Sequence, residues 1–189
     1  MVIFLEKTKI FMWLGLWLVI WGVALRLWHG EPLLTEMPGM ILIVFLVGIT
    51  NAFSLFSKER KMWLSKMDLA QTAIMAAGAL VLSIWHPISL ANGMLVAGHV
   101  FFQQIMIAFL IFMAQSTFKQ TLWRVLLFYG ASHLLLVFFM PVVWGLAFTL
   151  FSLFGTILFV SLIERAKYGI GLSYLLHLAF YFFLVRLPI

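Results

Sequence analysis

The chain contains no cysteine among its 189 residues. Disulfides, catalysis by a thiolate, zinc sites with cysteine ligands and iron–sulfur clusters are therefore excluded. Acidic residues are scarce as well, because only six Asp and Glu accompany twelve Lys and Arg. Charged residues make up 10% of the chain and hydrophobic residues 65%. This balance excludes a soluble globular domain and predicts an all-α polytopic membrane protein.

Long apolar runs, separated by short charged or proline-containing segments, predict seven transmembrane helices. They cover approximately residues 10–28, 40–56, 69–85, 88–115, 122–140, 142–163 and 170–185. No linker, repeat or composition shift divides the chain. Residues 1–189 therefore form a single transmembrane domain, with three helices in residues 10–87 and four in residues 88–189.

The distribution of basic residues between the predicted loops indicates the orientation. If the N-terminus is cytoplasmic, only Arg26 and Arg186 lie on the outer side. The cytoplasmic segments then hold Lys7, Lys9, Lys58, Arg60, Lys61, Lys66, Lys119, Arg124, Arg165 and Lys167. This bias is typical of a protein with a cytoplasmic N-terminus and, after seven spans, an outer C-terminus. Because the positive charge lies in short loops, topology and lipid headgroups explain it better than nucleic acid does.

Acidic residues are expected at loops and span boundaries. The densest charge cluster, Lys58–Lys61, includes Glu59, and we expect it to lie outside the hydrocarbon. Asp68 and Glu164 are placed at the ends of predicted spans, and the other three acids lie in or near loops. No carboxylate is therefore expected at the middle depth of the bundle.

Three histidines and two neighbouring glutamines lie well inside the predicted spans. His99, Gln103 and Gln104 belong to the fourth span, His133 to the fifth and His177 to the seventh. Counting from the outer ends at 1.5 Å per residue places the three histidines roughly 10 to 16 Å deep. An unpaired polar group at this depth costs several kcal/mol, so these residues are predicted to meet and bond.

Several motifs in the C-terminal half carry a family resemblance. The segment Tyr129–Leu134 resembles the second motif of the CPBP family of intramembrane endopeptidases (CAAX proteases and bacteriocin-processing enzymes). Phe154–Gly155, Ile163–Arg165 and the later His177 resemble the family's next span, its charged turn and its third motif. The resemblance covers approximately residue 94 to the C-terminus. It implies a CPBP-like core in the four C-terminal helices and a prokaryotic cell membrane as the location.

The first motif of that family is missing its acidic residues here. The resemblance implies paired glutamates, in a Glu-Glu-x-x-x-Arg pattern, that activate water, with histidines that bind the water or stabilise the oxyanion. In one register His99 and Val100 replace the glutamates and Gln104 replaces the arginine. In the other register Gln103 and Gln104 form the pair and Ala108 replaces the arginine. Glutamine cannot accept a proton, so the peptidase reaction is predicted to be absent.

The sequence therefore favours a binding role over an enzymatic one. We expect a scaffold or accessory subunit for another membrane protein, or a protein that holds a hydrophobic segment or lipid in the former substrate cleft. The third motif's usual asparagine is Tyr181 here, and it joins the candidate pocket. That pocket consists of His99, Gln103, Gln104, His133, His177 and Tyr181. No catalytic residue and no cofactor is expected, and the expected partners are the lipid bilayer and another membrane protein.

Two alternatives remain open at this point. The first is an active intramembrane protease or hydrolase that uses His99, His133 and His177, with or without a metal. Three imidazoles can hold zinc with an open fourth position, which lowers the pKa of bound water to about 7. The second is that the polar residues only join helices, since interhelical hydrogen bonds of this kind contribute about 0.6 to 2 kcal/mol each.

Overall fold

The computed structural model describes residues 2–28, 38–85, 90–113 and 117–183, and every regular element in these ranges is helical. Eight α-helices follow one another in these ranges. They are α1 (Val2–Trp28), α2 (Pro38–Leu55), α3 (Ser57–Lys66), α4 (Leu69–Trp85), α5 (Leu90–Phe112), α6 (Phe118–Val125), α7 (Val142–Arg165) and α8 (Gly169–Phe183). The expected loop acids Glu31 and Glu36, and Arg186, lie outside the described residues.

The all-helical class is confirmed for the described residues, but the count of seven spans is not. Three helical segments are long and apolar enough to cross a membrane: Leu95–Phe112, Phe118–Phe138 and Val142–Arg165. The count becomes four if α3 and α4, which meet at 88°, form one broken span. The apolar helices Ile43–Leu55 and Gly169–Phe183 are shorter. This set, found among the described residues, is compatible with a membrane protein.

Helix α5 is the centre of the bundle. Every residue from 102 to 113 is buried, and α5 packs against α1, α2, α3, α4, α6 and α8. A helix that is apolar on all sides is expected at such a position, because no face of it needs to meet water. The histidine and glutamines of α5 are consequently placed in the interior of the molecule.

The fifth predicted span is not a regular α-helix. Thr117 and Gln120 form a capping box at the start of α6, but the helix widens into a π-helical turn over Leu126–Gly130. It then tightens into a 3₁₀-helix over Ala131–Phe138. The motif that contains Tyr129 and His133 lies across this change. Such irregular turns within a helix occur often at functional sites.

Helix α7 packs closely against this irregular segment. A Cβ added to Gly145 of α7 would lie 2.8 Å from the backbone nitrogen of Val137. One added to Gly130 would lie 2.9 Å from Cδ2 of Leu153. The hydroxyl of Ser152 lies 3.0 Å from the carbonyl oxygen of Gly130 and can donate to it. Small residues therefore allow the two backbones to approach, and a serine bonds a carbonyl of the irregular turn.

The segment Lys58–Lys61 is helical and not a loop, and Glu59, expected at a loop or boundary, is buried. These residues belong to helix α3, whose buried side chains are Glu59 and Trp63. Glu59 is completely buried, and its Oε1 accepts a hydrogen bond from Nζ of Lys9 on α1. Residues four apart share one face of a helix, so α3 turns Glu59 and Trp63 inward while Lys58 and Lys61 stay exposed. The ion pair with Lys9 is what makes this burial tolerable.

Candidate functional site

Two helices position the polar side chains in the middle of the bundle. On α8, Ser173, His177 and Tyr181 follow one another at intervals of four residues and therefore share a face. On α5, His99 and Gln103 are also four apart. We call the set that these helices bring together the polar layer: His99, Gln103, Gln104, Ser173, His177 and Tyr181.

At one end of the polar layer, Gln103 joins α5 to α8. Its Nε2 lies 2.6 Å from Nε2 of His99 and 3.1 Å from the hydroxyl of Tyr181. The same hydroxyl lies 3.5 Å from Nε2 of His99. His99 and Gln103 are each only 4% exposed. The ring of Phe45 on α2, with its centroid 5.4 Å from that of His99, packs against the imidazole.

At the other end, Gln104 makes a second connection between the same helices. Its Nε2 lies 2.9 Å from Nδ1 of His177. Its Oε1 accepts from the hydroxyl of Ser173 at 3.1 Å, and that hydroxyl also lies 2.9 Å from the carbonyl oxygen of Ile170. The rings of His177 and Tyr181 have centroids 5.4 Å apart. The two ends of the polar layer are therefore in contact.

His133 reaches the polar layer through an aromatic neighbour. Its Nδ1 lies 2.9 Å from the carbonyl oxygen of Tyr129, one turn earlier in the chain. The Tyr129 ring packs against His133 at a centroid distance of 5.0 Å and against His177 at 6.3 Å. Five of the six residues predicted for the pocket are thus joined by side-chain hydrogen bonds or direct ring contact. His133 is half-buried and lies at the edge of this group.

Among the described residues, no group of three His, Asp or Glu side chains is arranged to hold a metal ion. The geometry therefore gives the metal-assisted alternative no support. Two of the described carboxylates bond elsewhere. Glu59 is paired with Lys9, and Asp68 accepts from the backbone nitrogen of Gln71 at 2.7 Å, at the start of α4. Within the described ranges, the hydrogen bonds of the polar layer include no carboxylate.

Sequence reasoning missed three residues that support the site. Ser173 could have been found, because it precedes His177 by the same four residues that separate His177 from Tyr181. Trp17 of α1 could not, since nothing in the sequence indicates that its Nε1 donates to Ser132 at 3.0 Å. Trp13, one turn earlier, donates to the carbonyl oxygen of Met106 at 2.6 Å. These two bonds hold α1 against α5 and the irregular segment.

No family model, curated protein or solved structure matches this chain. Its function must therefore be inferred from the chemistry of the polar layer.

Proposed function

We propose that this chain is a CPBP-like integral membrane protein without glutamate-dependent peptidase activity. It acts as an accessory subunit that holds a hydrophobic segment of another membrane protein against the polar layer. The observation that carries the proposal is the composition of that layer. At its centre, two glutamine amides stand beside two imidazoles, where water activation would require a carboxylate.

The hydrogen bonds of the glutamines also support a binding role. Each glutamine turns its amide nitrogen, and not its amide oxygen, towards an imidazole. With the side chains in this orientation, Gln103 donates to Nε2 of His99 and Gln104 donates to Nδ1 of His177. Each imidazole then uses its one basic nitrogen as an acceptor. A nitrogen engaged in this way cannot also take a proton from water. The layer is consequently suited to fixing a polar group of a ligand.

The membrane arrangement is part of the same proposal. Seven helical segments, formed by all the described helices except α3, overlap the seven predicted spans, although α1 begins about eight residues before the first of them. We propose that each crosses a prokaryotic cell membrane, with the N-terminus cytoplasmic and the C-terminus outside. The exposed apolar face of α7, which includes Val143, Leu150 and Phe154, then contacts lipid. Lys167, in the turn before α8, is exposed and remains on the cytoplasmic side.

The absence of native cysteine makes this orientation directly testable. Single cysteines at the exposed positions Thr117, Pro141 and Lys167 probe three different turns. In intact cells, a membrane-impermeant maleimide is expected to label Pro141→Cys only. Thr117→Cys and Lys167→Cys are expected to react after permeabilisation. Labelling of Lys167→Cys in intact cells, with Pro141→Cys protected, would show that the orientation is reversed.

Native mass spectrometry of the protein, gently extracted from its own membrane, tests the binding role. We expect a stoichiometric protein partner, which is lost in Gln103→Leu. The matched control is Gln71→Leu, because Gln71 is also buried but bonds Gly171 between α4 and α8. A partner bound equally by the wild type and Gln103→Leu would contradict a role for the polar layer. A lone chain that carries a metal ion and hydrolyses peptides would overturn the proposal entirely.

A further inference from the structure

We propose that the His99–Gln103 end of the polar layer binds an uncharged amide, namely a backbone peptide group of the segment held there. This inference rests on the proposed function and names the chemical group that the site recognises. Its starting point is that two buried polar atoms at this end, Nδ1 of His99 and Oε1 of Gln103, have no hydrogen-bond partner among the described residues.

The two atoms have complementary hydrogen-bonding character. When Nε2 of Gln103 donates to Nε2 of His99, the imidazole proton lies on Nδ1. Nδ1 is then a free donor, and Oε1 of Gln103 is a free acceptor. If the amide is turned round, Oε1 accepts from His99 and Tyr181, which leaves Nδ1 of His99 as an acceptor and the Gln103 amide nitrogen as a donor. Either orientation leaves one donor and one acceptor on adjacent turns of α5.

The surroundings favour a ligand without charge. Hydrogen bonds of His99, Gln103 and Tyr181 within the described part of the chain include no ionised group. The neighbouring Phe45 and Phe102 rings are apolar and fully or almost fully buried. A charged ligand would therefore lose its hydration without gaining a counter-charge. An amide offers an acceptor and a donor on neighbouring atoms, whereas an ester offers only acceptors.

The test compares tailed probes that differ in this property. N-octyl-4-methylpentanamide carries one secondary amide of the backbone type, and octyl 4-methylpentanoate replaces its N–H by oxygen. Oleamide presents an amide on a lipid chain. Titration of each probe into the detergent-solubilised full chain, followed by native mass spectrometry, gives the stoichiometry and affinity. We expect one bound octylamide and about tenfold weaker binding of the ester, because one hydrogen bond is lost.

Variants connect this preference to the two residues. Gln103→Met removes the amide of Gln103 but keeps its length, and is expected to bind octylamide and ester equally. Gln71→Met makes the same change at a buried glutamine outside the polar layer and is expected to retain the tenfold preference. A second variant, His99→Phe, removes the group that faces the ligand carbonyl in the first orientation, so it should weaken the binding of octylamide and ester about equally. It gives an independent measurement if Gln103→Met does not fold.

The outcomes separate this inference from the proposed function. Equal affinity of the wild type for amide and ester would overturn amide recognition. Binding of oleamide in preference to the octylamide would overturn the assignment to a peptide group and indicate a lipid amide. If the protein partner is nevertheless lost in Gln103→Leu, the proposed function stands and only the amide inference fails.

Discussion

Gln104→Leu is the substitution that best tests whether the polar layer holds the bundle together. Gln104 is 3% exposed and connects α5 to two residues of α8. Leucine has a similar size but removes the contact with Nδ1 of His177 at 2.9 Å and the bond from Ser173 at 3.1 Å. Ser173 and His177 then differ in the hydrogen bonds that remain to them. Ser173 can still donate to the carbonyl oxygen of Ile170, whereas Nδ1 of His177 loses the amide that faces it.

The expected loss of unfolding free energy follows from these contacts. Interhelical hydrogen bonds in membrane proteins contribute about 0.6 kcal/mol each on average, and a buried group left without a partner costs about 1 to 3 kcal/mol. Leucine regains part of this loss by burying apolar surface. We therefore expect Gln104→Leu to lower the free energy of unfolding by about 2 kcal/mol. For a chain of this length, that corresponds to a decrease in melting temperature of about 4 to 8 °C.

A double-mutant cycle with His177→Phe isolates the interaction. Phenylalanine removes the ring nitrogen that Gln104→Leu leaves unsatisfied, so the double variant should be more stable than the sum of the two single effects predicts. We expect a coupling of about 1 to 2 kcal/mol, measured by thermal unfolding in detergent followed by tryptophan fluorescence. Additive effects, or a shift below about 1 °C for Gln104→Leu, would refute the view that this contact joins the helices.

Two further substitutions test the fold outside the polar layer. Lys9→Met leaves the fully buried carboxylate of Glu59 unpaired and should cost about 3 kcal/mol, whereas the double variant with Glu59→Met should recover most of this loss in the same unfolding assay. Gly145→Ala places a Cβ 2.8 Å from the backbone nitrogen of Val137 and should destabilise by about 1 to 3 kcal/mol. Its control, Gly15→Ala, meets nothing within 4 Å and should be neutral or slightly stabilising. Equal melting temperatures for the two glycine variants would contradict the close packing of α7 against the irregular segment.

The positions of the helices could be predicted from the sequence because apolar runs of this length have few other solutions in a membrane. Helix α3 could not be predicted in the same way, since the four charged residues of Lys58–Lys61 indicate a loop between two spans. Its inward face depends on the tertiary partner Lys9, which is fifty residues away in the chain. A pairing of that kind leaves no local signal at Glu59.

The residues of the polar layer could be predicted, but the bonds between them could not. Buried polar groups in a hydrophobic helix must find partners, so His99, Gln103, Gln104 and His177 were identifiable from their positions alone. Which one faces which depends on the rotation of α5 about its axis, and one residue changes that rotation by about 100°. The structure resolves this by directing Gln103 towards Tyr181 and Gln104 towards His177.

The chemistry of the two glutamines explains why the layer can be stable without acidic residues. An amide supplies both a donor and an acceptor without charge, so Gln104 bonds an imidazole and a hydroxyl at once. A glutamate at the same position could only accept while ionised. His177 would then have to present its proton on Nδ1, and the buried negative charge would require a cation that the hydrogen bonds of the described layer do not include. Glutamine at position 104 therefore fits an assembly in which Nδ1 of His177 is an acceptor, whereas a glutamate-based hydrolytic site would need the opposite proton arrangement.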